Sequence, residues 1–302
     1  MRAIVLPDYG PASALRLQTL PDPTPGPGEI AIRVAAAGIN PIDWKQRSGN
    51  YKAFMPLTFP AVLGRDVSGT VLSVGSGVTA FTAGARVMGR VPRGGYAEIA
   101  VGPAASFTIV PAKLDLADAA ALPLALLTGS QLAEEAVDAR NGEVVLVTGA
   151  TGSVGRVAVF TAKARGARVY AGVRARIKGD AAKLAVGGVV ALDDDAEIAG
   201  LPALDGIADT VGGPTTQKLL EKVKRGGRIG SVVGPTPGAA DRGITVRPIV
   251  THDDPQRFAE LAQAVADGKL IIPIVRRFPL AQAAEATALA EAGAGGKVLL
   301  IP

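Results

Sequence analysis

Three glycines, Gly149, Gly152 and Gly155, are spaced at intervals of three between an apolar run, Val144 to Val147, and a helical stretch, Arg156 to Arg165. A strand, a glycine turn, a helix and a second strand over Arg168 to Arg174 make a βαβ unit. Glycines at such a turn allow a tight bend and let the backbone approach a pyrophosphate, and they let the helix lie close to its strand. The free N–H groups and the positive dipole end of the helix then face an anion. The chemistry implied is dinucleotide binding, with an ordinary structural turn as the alternative. Past the second strand an NAD site usually carries an acidic residue for the ribose 2′-OH. Here the chain reads Val173-Arg174-Ala175-Arg176, with Lys178 close by and no carboxylate before Asp180. Cations there suit the 2′-phosphate of NADPH, the alternative being solvated surface charges.

Other chemistries are excluded by what the chain lacks. It has no cysteine, hence no disulfide, thiolate nucleophile or zinc–thiolate site. Its one histidine, His252, lies in the helix-start pattern THDDPQ and reads as a surface or capping residue. Without it no Ser-His-Asp hydrolase can be assembled. The net charge of +5 raises the question of nucleic acid. The cations are scattered, however, and few aromatic residues are available for stacking, so no nucleic-acid partner is expected. No apolar run reaches transmembrane length, and MRAIVLPDYG enters a strand directly with no signal-peptide core. No membrane partner and a cytoplasmic location are the expectations.

The elements that must position these residues fall into two sets. With 302 residues, two domains are expected. Residues 1–112 read as mostly short strands and turns: Arg2 to Leu6, Glu29 to Ala35, Asp66 to Val74, Ala85 to Val91 and Gly95 to Val101. Asp115 to Ala139 has helical spacing. Beyond the glycine turn, Val189 to Leu192, Gly206 to Val211, Arg228 to Val233 and Ile244 to Val250 bring the strand count of a doubly wound sheet to about six, the last at an edge. Phe258 to Ala266 and Leu280 to Ala292 read as helices. The closing GKVLLIP reads as a strand returning to the first domain.

The motifs AAAGINPIDWKQRSG (35–49), FPAVLGRDVSGTV (59–71), GGYAEIAV (94–101), AALPLALLTGSQLAEEA (120–136), VLVTGATGSVG (145–155) and GKVLLIP (296–302) run in order along the chain. Together they resemble the zinc-free medium-chain dehydrogenase/reductases, in their quinone oxidoreductase-like, or zeta-crystallin-like, branch. That resemblance implies an α/β fold. A GroES-like β-rich catalytic domain, expected over 1–112 and 268–302, accompanies a Rossmann domain over 113–267, with the cofactor between them and the nicotinamide toward the β-rich one. Zinc-containing relatives carry a Cys and a Gly-His-Glu motif, where this chain has Gly38-Ile39-Asn40 and Gly64-Arg65-Asp66. An Arg cannot ligate zinc as an imidazole does, and no metal is expected. TGATGSVG also resembles extended short-chain dehydrogenases. Those carry it near the N-terminus, and no Tyr-x-x-x-Lys follows here, since Tyr170 is followed four residues on by Arg174.

The resemblance places Asn40 near the nicotinamide, where its amide could donate to a carbonyl oxygen; an ordinary turn-stabilising Asn is the alternative. Asp43 is expected to hold the same turn. Tyr51 is expected to offer its hydroxyl to the substrate, or else to be a partly buried aromatic. Lys45 points toward the cofactor or to solvent. Thr128 resembles the Thr beside the nicotinamide ribose, with a helix Thr bonded to its own backbone as the alternative. Thr151, Gly152, Ser153, Val154 and Gly155 should bracket the pyrophosphate, and Arg174 with Arg176 the 2′-phosphate. Thr210, Val211 and Val233, at strand carboxyl ends, should pass near the nicotinamide. The function implied is NADPH-dependent reduction of a quinone or an α,β-unsaturated carbonyl by a homodimer, for which the edge strand Ile244 to Val250 is the candidate pairing surface. A NADPH-binding sensor or structural protein with little turnover is the alternative.

Overall fold

Apolar alternation between prolines and glycines sets the first strands. In the computed structural model, which describes residues 1–302, β1 (Arg2–Leu6) pairs antiparallel with β2 (Arg16–Thr19). The long β3 (Glu29–Gly38) leads into helix α1 (Pro41–Arg47). The short β4 (Ala61–Val62) pairs with β1, and β5 (Asp66–Val74), β6 (Arg86–Arg90), β7 (Ile99–Pro103) and β8 (Phe107–Ile109) follow. Then α2 (Pro123–Gln131) begins on a proline, where the missing N–H costs nothing.

The second set alternates strand and helix as far as its fifth strand. Strands β9 (Val144–Thr148), β10 (Arg168–Val173), β11 (Gly188–Ala191), β12 (Leu204–Asp209), β13 (Val223–Ser231) and β14 (Thr245–Pro248) form one parallel sheet. Their order is β11-β10-β9-β12-β13-β14, the doubly wound pattern, with β14 at the edge. Between them run α3 (Ser153–Ala164), α4 (Lys178–Ala182), α5 (Asp195–Ala199) and α6 (Gly213–Leu219). The chain then gives α7 (Pro255–Ala266), β15 (Ile274–Pro279), α8 (Ala283–Glu291) and β16 (Lys297–Ile301). The fold is thus α/β, a parallel Rossmann-type sheet with a GroES-like β-rich domain, as the motifs implied.

The closing strand does return. β16 lies antiparallel on β3, with Leu299 opposite Gly38, in the order β15-β16-β3-β5-β6-β8. Its first four residues are buried. Gly38 is a tight point of this sheet: a Cβ there would lie 2.3 Å from the Ala120 carbonyl oxygen.

Three details differ from the sequence reading. The chain divides into units 1–124 with 253–302 and 125–252, so segments 113–124 and 253–267 belong to the β-rich unit instead of the Rossmann part. Side-chain bonds explain this: Asp253 accepts from Ser106 Oγ at 2.5 Å and pairs with Arg90, while α7 packs on β8. Asp115 to Ala139 is not one helix either. A 3₁₀ turn at Asp118–Ala121 precedes α2, and a π turn at Leu132–Ala136 follows it. Finally, GINPID opens a helix, α1, and is not a free turn.

Candidate active site and cofactor site

The glycine turn is built as its spacing suggests. Gly149 has φ +62°, a left-handed conformation that favours glycine. A Cβ on Gly155 would lie 2.2 Å from the Gly149 carbonyl oxygen, so only glycine lets α3 sit this close to β9. Gly152 caps α3 without any side chain, and the first helix bond inward runs from Arg156 N to Gly152 O at 2.9 Å. The N–H groups of Ser153, Val154 and Gly155 therefore have no partner inside the helix and are available to an anion. Thr151 supplies its carbonyl to Arg156 Nε at 2.9 Å. The residues fit a pyrophosphate.

Strand ends meet this turn. Thr210 donates from Oγ1 to Thr148 O at 2.7 Å and from its N–H to Thr148 Oγ1 at 2.9 Å. A Cβ on Gly149 would lie 2.4 Å from Thr210 Oγ1 and 3.4 Å from Val211, so both are brought to the turn. Buried Asp209 organises the corner: its Oδ1 accepts from Thr148 Oγ1 at 2.7 Å and from the N–H groups of Val211 and Gly212. Val211 and Val233 are exposed, and Val233 packs against Gly212. Thr128 is buried and shares a 2.6 Å hydroxyl contact with Thr251. That partner was not foreseen.

Arg174 and Arg176 stand exposed after β10, while Lys178 is tied to Glu197 at 2.6 Å. Sequence reading missed a carboxylate here. Asp193 Oδ1 accepts from the Ala175 N–H at 2.8 Å, closing the loop from the end of β11. No linear search from the glycine turn would find it.

In the other unit, Asn40 is buried as the cap of α1. Its backbone N–H donates to Asp43 Oδ2 at 2.9 Å, and the Tyr96 hydroxyl donates to the same oxygen at 2.9 Å. Asp43 holds the turn, as expected. The second oxygen of Asp43 is buried without a hydrogen-bond partner, and burial pushes this carboxyl up to about 6. Asn40 Oδ1 accepts from Lys297 Nζ at 2.6 Å, and its Nδ2 approaches Gly38 O at 3.4 Å. Lys297 also lies 3.4 Å from Asp66 Oδ2, and both Asp66 oxygens accept from the Leu124 N–H. Lys297, Asp66 and Tyr96 are all buried, and none was given a role in the site from sequence. Only strand register, with Gly38 opposite both Asp66 and Leu299, reveals the cluster.

Tyr51 is half-buried and accepts from Lys45 Nζ at 3.4 Å, with the ammonium 5.4 Å from the ring centre. Phe54 meets it edge-on at 6.3 Å and is 81% exposed. His252 is surface-placed, its Nε2 2.9 Å from Glu135.

Known proteins can now be set beside this geometry. Residues 26–113 match the family model described as the alcohol dehydrogenase GroES-like domain, and 189–300 that of zinc-binding dehydrogenase. The quinone oxidoreductase of Rattus norvegicus is 30% identical over the whole of this chain and 98% of its own length. The chain belongs to the quinone oxidoreductases of the medium-chain dehydrogenase/reductase superfamily. A chloroplast envelope quinone oxidoreductase homolog of Arabidopsis thaliana is 38% identical, aligned over 58% of this chain and 56% of its own. The structure of Escherichia coli quinone oxidoreductase complexed with NADPH superposes with a TM-score of 0.87 at 27% identity, covering both chains fully. Oxidoreduction is the class of reaction. Zinc does not fit the residues present: Arg65 and Lys297 are cations, and the Asn40 and Asp66 oxygens nearest Lys297 already face its ammonium. No helix is long and apolar enough to cross a membrane.

A pH dependence follows from Asp43. Its folded value of about 6 lies above the ordinary 3.8, so the folded state binds the proton more tightly. Its stabilising contribution is complete below pH ~4 and is lost as pH rises through ~6, about 3 kcal/mol in all. Urea unfolding of wild type and Asp43→Asn across pH 4 to 7.5 should show the wild type losing ground to the variant over that window. Parallel curves would mean the carboxyl is not raised.

Proposed function

We propose that the protein is an NADPH-dependent reductase of quinones or α,β-unsaturated carbonyls that works without zinc. The observation that carries this reading is the open N-terminus of α3 with exposed Arg174 and Arg176 beside it. A bound nicotinamide cofactor supplies the hydride and its reducing power. The chain's residues do the rest. The N–H groups of Ser153, Val154 and Gly155 take the pyrophosphate, with Thr151 and Gly152 shaping the approach. Arg174 and Arg176 take the 2′-phosphate by charge-assisted bonds. Thr210, Val211 and Val233 give a largely apolar shelf at the strand ends, suited to a flat ring. Thr128, locked to Thr251, supports the site sterically.

Asn40 and the Tyr51 hydroxyl serve the acceptor, donating to the oxygen on which charge develops as hydride arrives at carbon. Exposed Phe54 beside Tyr51 offers an apolar face to a planar acceptor. The deciding assay follows oxidation of NADPH and, separately, NADH against an ortho-quinone and a simple enone. NADPH-selective turnover is expected, and the better acceptor names the substrate class. Saturable NADPH binding with no turnover across a broad acceptor panel would instead indicate a sensor.

Cofactor choice has its own test, because Asp193 stands at the same loop as the two arginines. Arg174→Glu should weaken NADPH by about 10- to 100-fold while NADH changes little, as expected for a lost phosphate pair. An unchanged ratio removes Arg174 from the site. Strand β14, at the sheet edge with unpaired backbone groups, is the surface we assign to homodimer formation. Sedimentation equilibrium should give twice the chain mass, and a single-chain mass rules the dimer out.

A further inference from the structure

Lys297 has no place in the function above, and its surroundings are unusual. It opens β16, is buried, and lies within bonding reach of two side chains from distant parts of the chain. The simplest role would be to neutralise buried Asp66. The distances favour another. Its Nζ is 2.6 Å from the neutral Asn40 Oδ1 but 3.4 Å from the Asp66 carboxylate, which already accepts from the Leu124 N–H. The ammonium is thus directed chiefly at the amide.

Two consequences follow for Asn40. An ammonium has only donors, so the amide must present its oxygen to Lys297 and cannot flip. The Nδ2 group is held on the opposite side, and its one intramolecular contact, to Gly38 O, is long at 3.4 Å. At least one Nδ2–H is left to donate elsewhere. A cation bound to Oδ1 also draws electron density from the amide and strengthens Nδ2–H as a donor, an effect magnified away from water.

We propose that Lys297 is a positioning residue that orients and polarises the Asn40 amide, so that Nδ2–H is presented to the acceptor oxygen as it gains negative charge. Asp66 serves by keeping the ammonium in place. This rests on the reading of Asn40 given under Proposed function.

The test is a double-mutant cycle with NADPH and an ortho-quinone, measuring kcat, KM and NADPH affinity for wild type, Lys297→Met, Asn40→Ala and the double variant. Lys297→Met should lower kcat about tenfold or more, toward the ~10²–10³ of a lost oxyanion donor. NADPH affinity and acceptor KM should shift by less than about threefold. Lys297→Arg should recover part of the rate. In the Asn40→Ala background, removing Lys297 should change kcat by less than about twofold. Equal losses in both backgrounds, or no loss in either, would overturn the proposal. Asn40→Ala at the wild-type rate would overturn the reading on which it rests. Should Lys297→Met fail to fold, leaving Asp66 alone, the pair Asp66→Asn with Lys297→Met removes both charges and completes the same cycle.

Discussion

The β-rich unit depends on a cation held inside it. Lys297 is buried with Asp66, and Asp66 in turn accepts from the Leu124 N–H and stands opposite Gly38 in the strand register. Removing one member of a buried ion pair costs several kcal/mol, because the other is left charged and dry. The arrangement is therefore all or nothing. β16 must reach β3, and β3 must be in register with β5, before either charge is compensated. Residues 297 and 40 are far apart in sequence, so the contact also joins the two ends of the unit that the inserted Rossmann unit separates in the chain.

The Rossmann unit works on the opposite principle. Its essential feature is local and is a deficit: three helix N–H groups with no partner inside the helix. Nothing from a distant strand is needed to make them, only Gly149 in its left-handed conformation and Gly155 in the first turn of the helix, against Gly149. Distant residues brace the corner, with Asp209 and Thr210 tying β12 to β9 beside the turn. One unit thus pairs the charges of Lys297 and Asp66 within itself, and the other leaves polar groups open for a ligand.

That contrast explains what was legible in the sequence. The glycine turn, the count of about six strands with an edge strand last and the closing strand follow from local pattern, since period and turn chemistry act over a few residues. The Asp66–Lys297–Asn40 cluster and Tyr96 on Asp43 do not, because they arise from sheet register between segments with no local signal. Asp193 was hidden for the same reason, reaching Ala175 from the next strand's end. The misplaced domain boundaries have a related cause: α7 has ordinary helical spacing, and only Asp253 bonded to Ser106 and paired with Arg90 fixes which unit it joins. Thr128 was read by resemblance as a cofactor contact, while its Thr251 partner lies at the far end of the same unit.

On the function proposed above, the charges around Asn40 stand where a metal would otherwise act. A zinc ion acts on a substrate oxygen directly, as a Lewis acid. Here the fixed cation does not face an open coordination position; it faces the oxygen of an amide. Any influence on a reacting atom must pass through that amide, as a hydrogen bond made stronger by the charge behind it. Such a donor stabilises charge appearing on oxygen but cannot itself take a proton from an alcohol, which needs a general base or a metal-held alkoxide. On the function proposed above, an amide donor of this kind suits an acceptor that already bears a carbonyl oxygen. A quinone or conjugated carbonyl, the acceptor we propose, has such an oxygen to collect the charge as hydride goes to carbon.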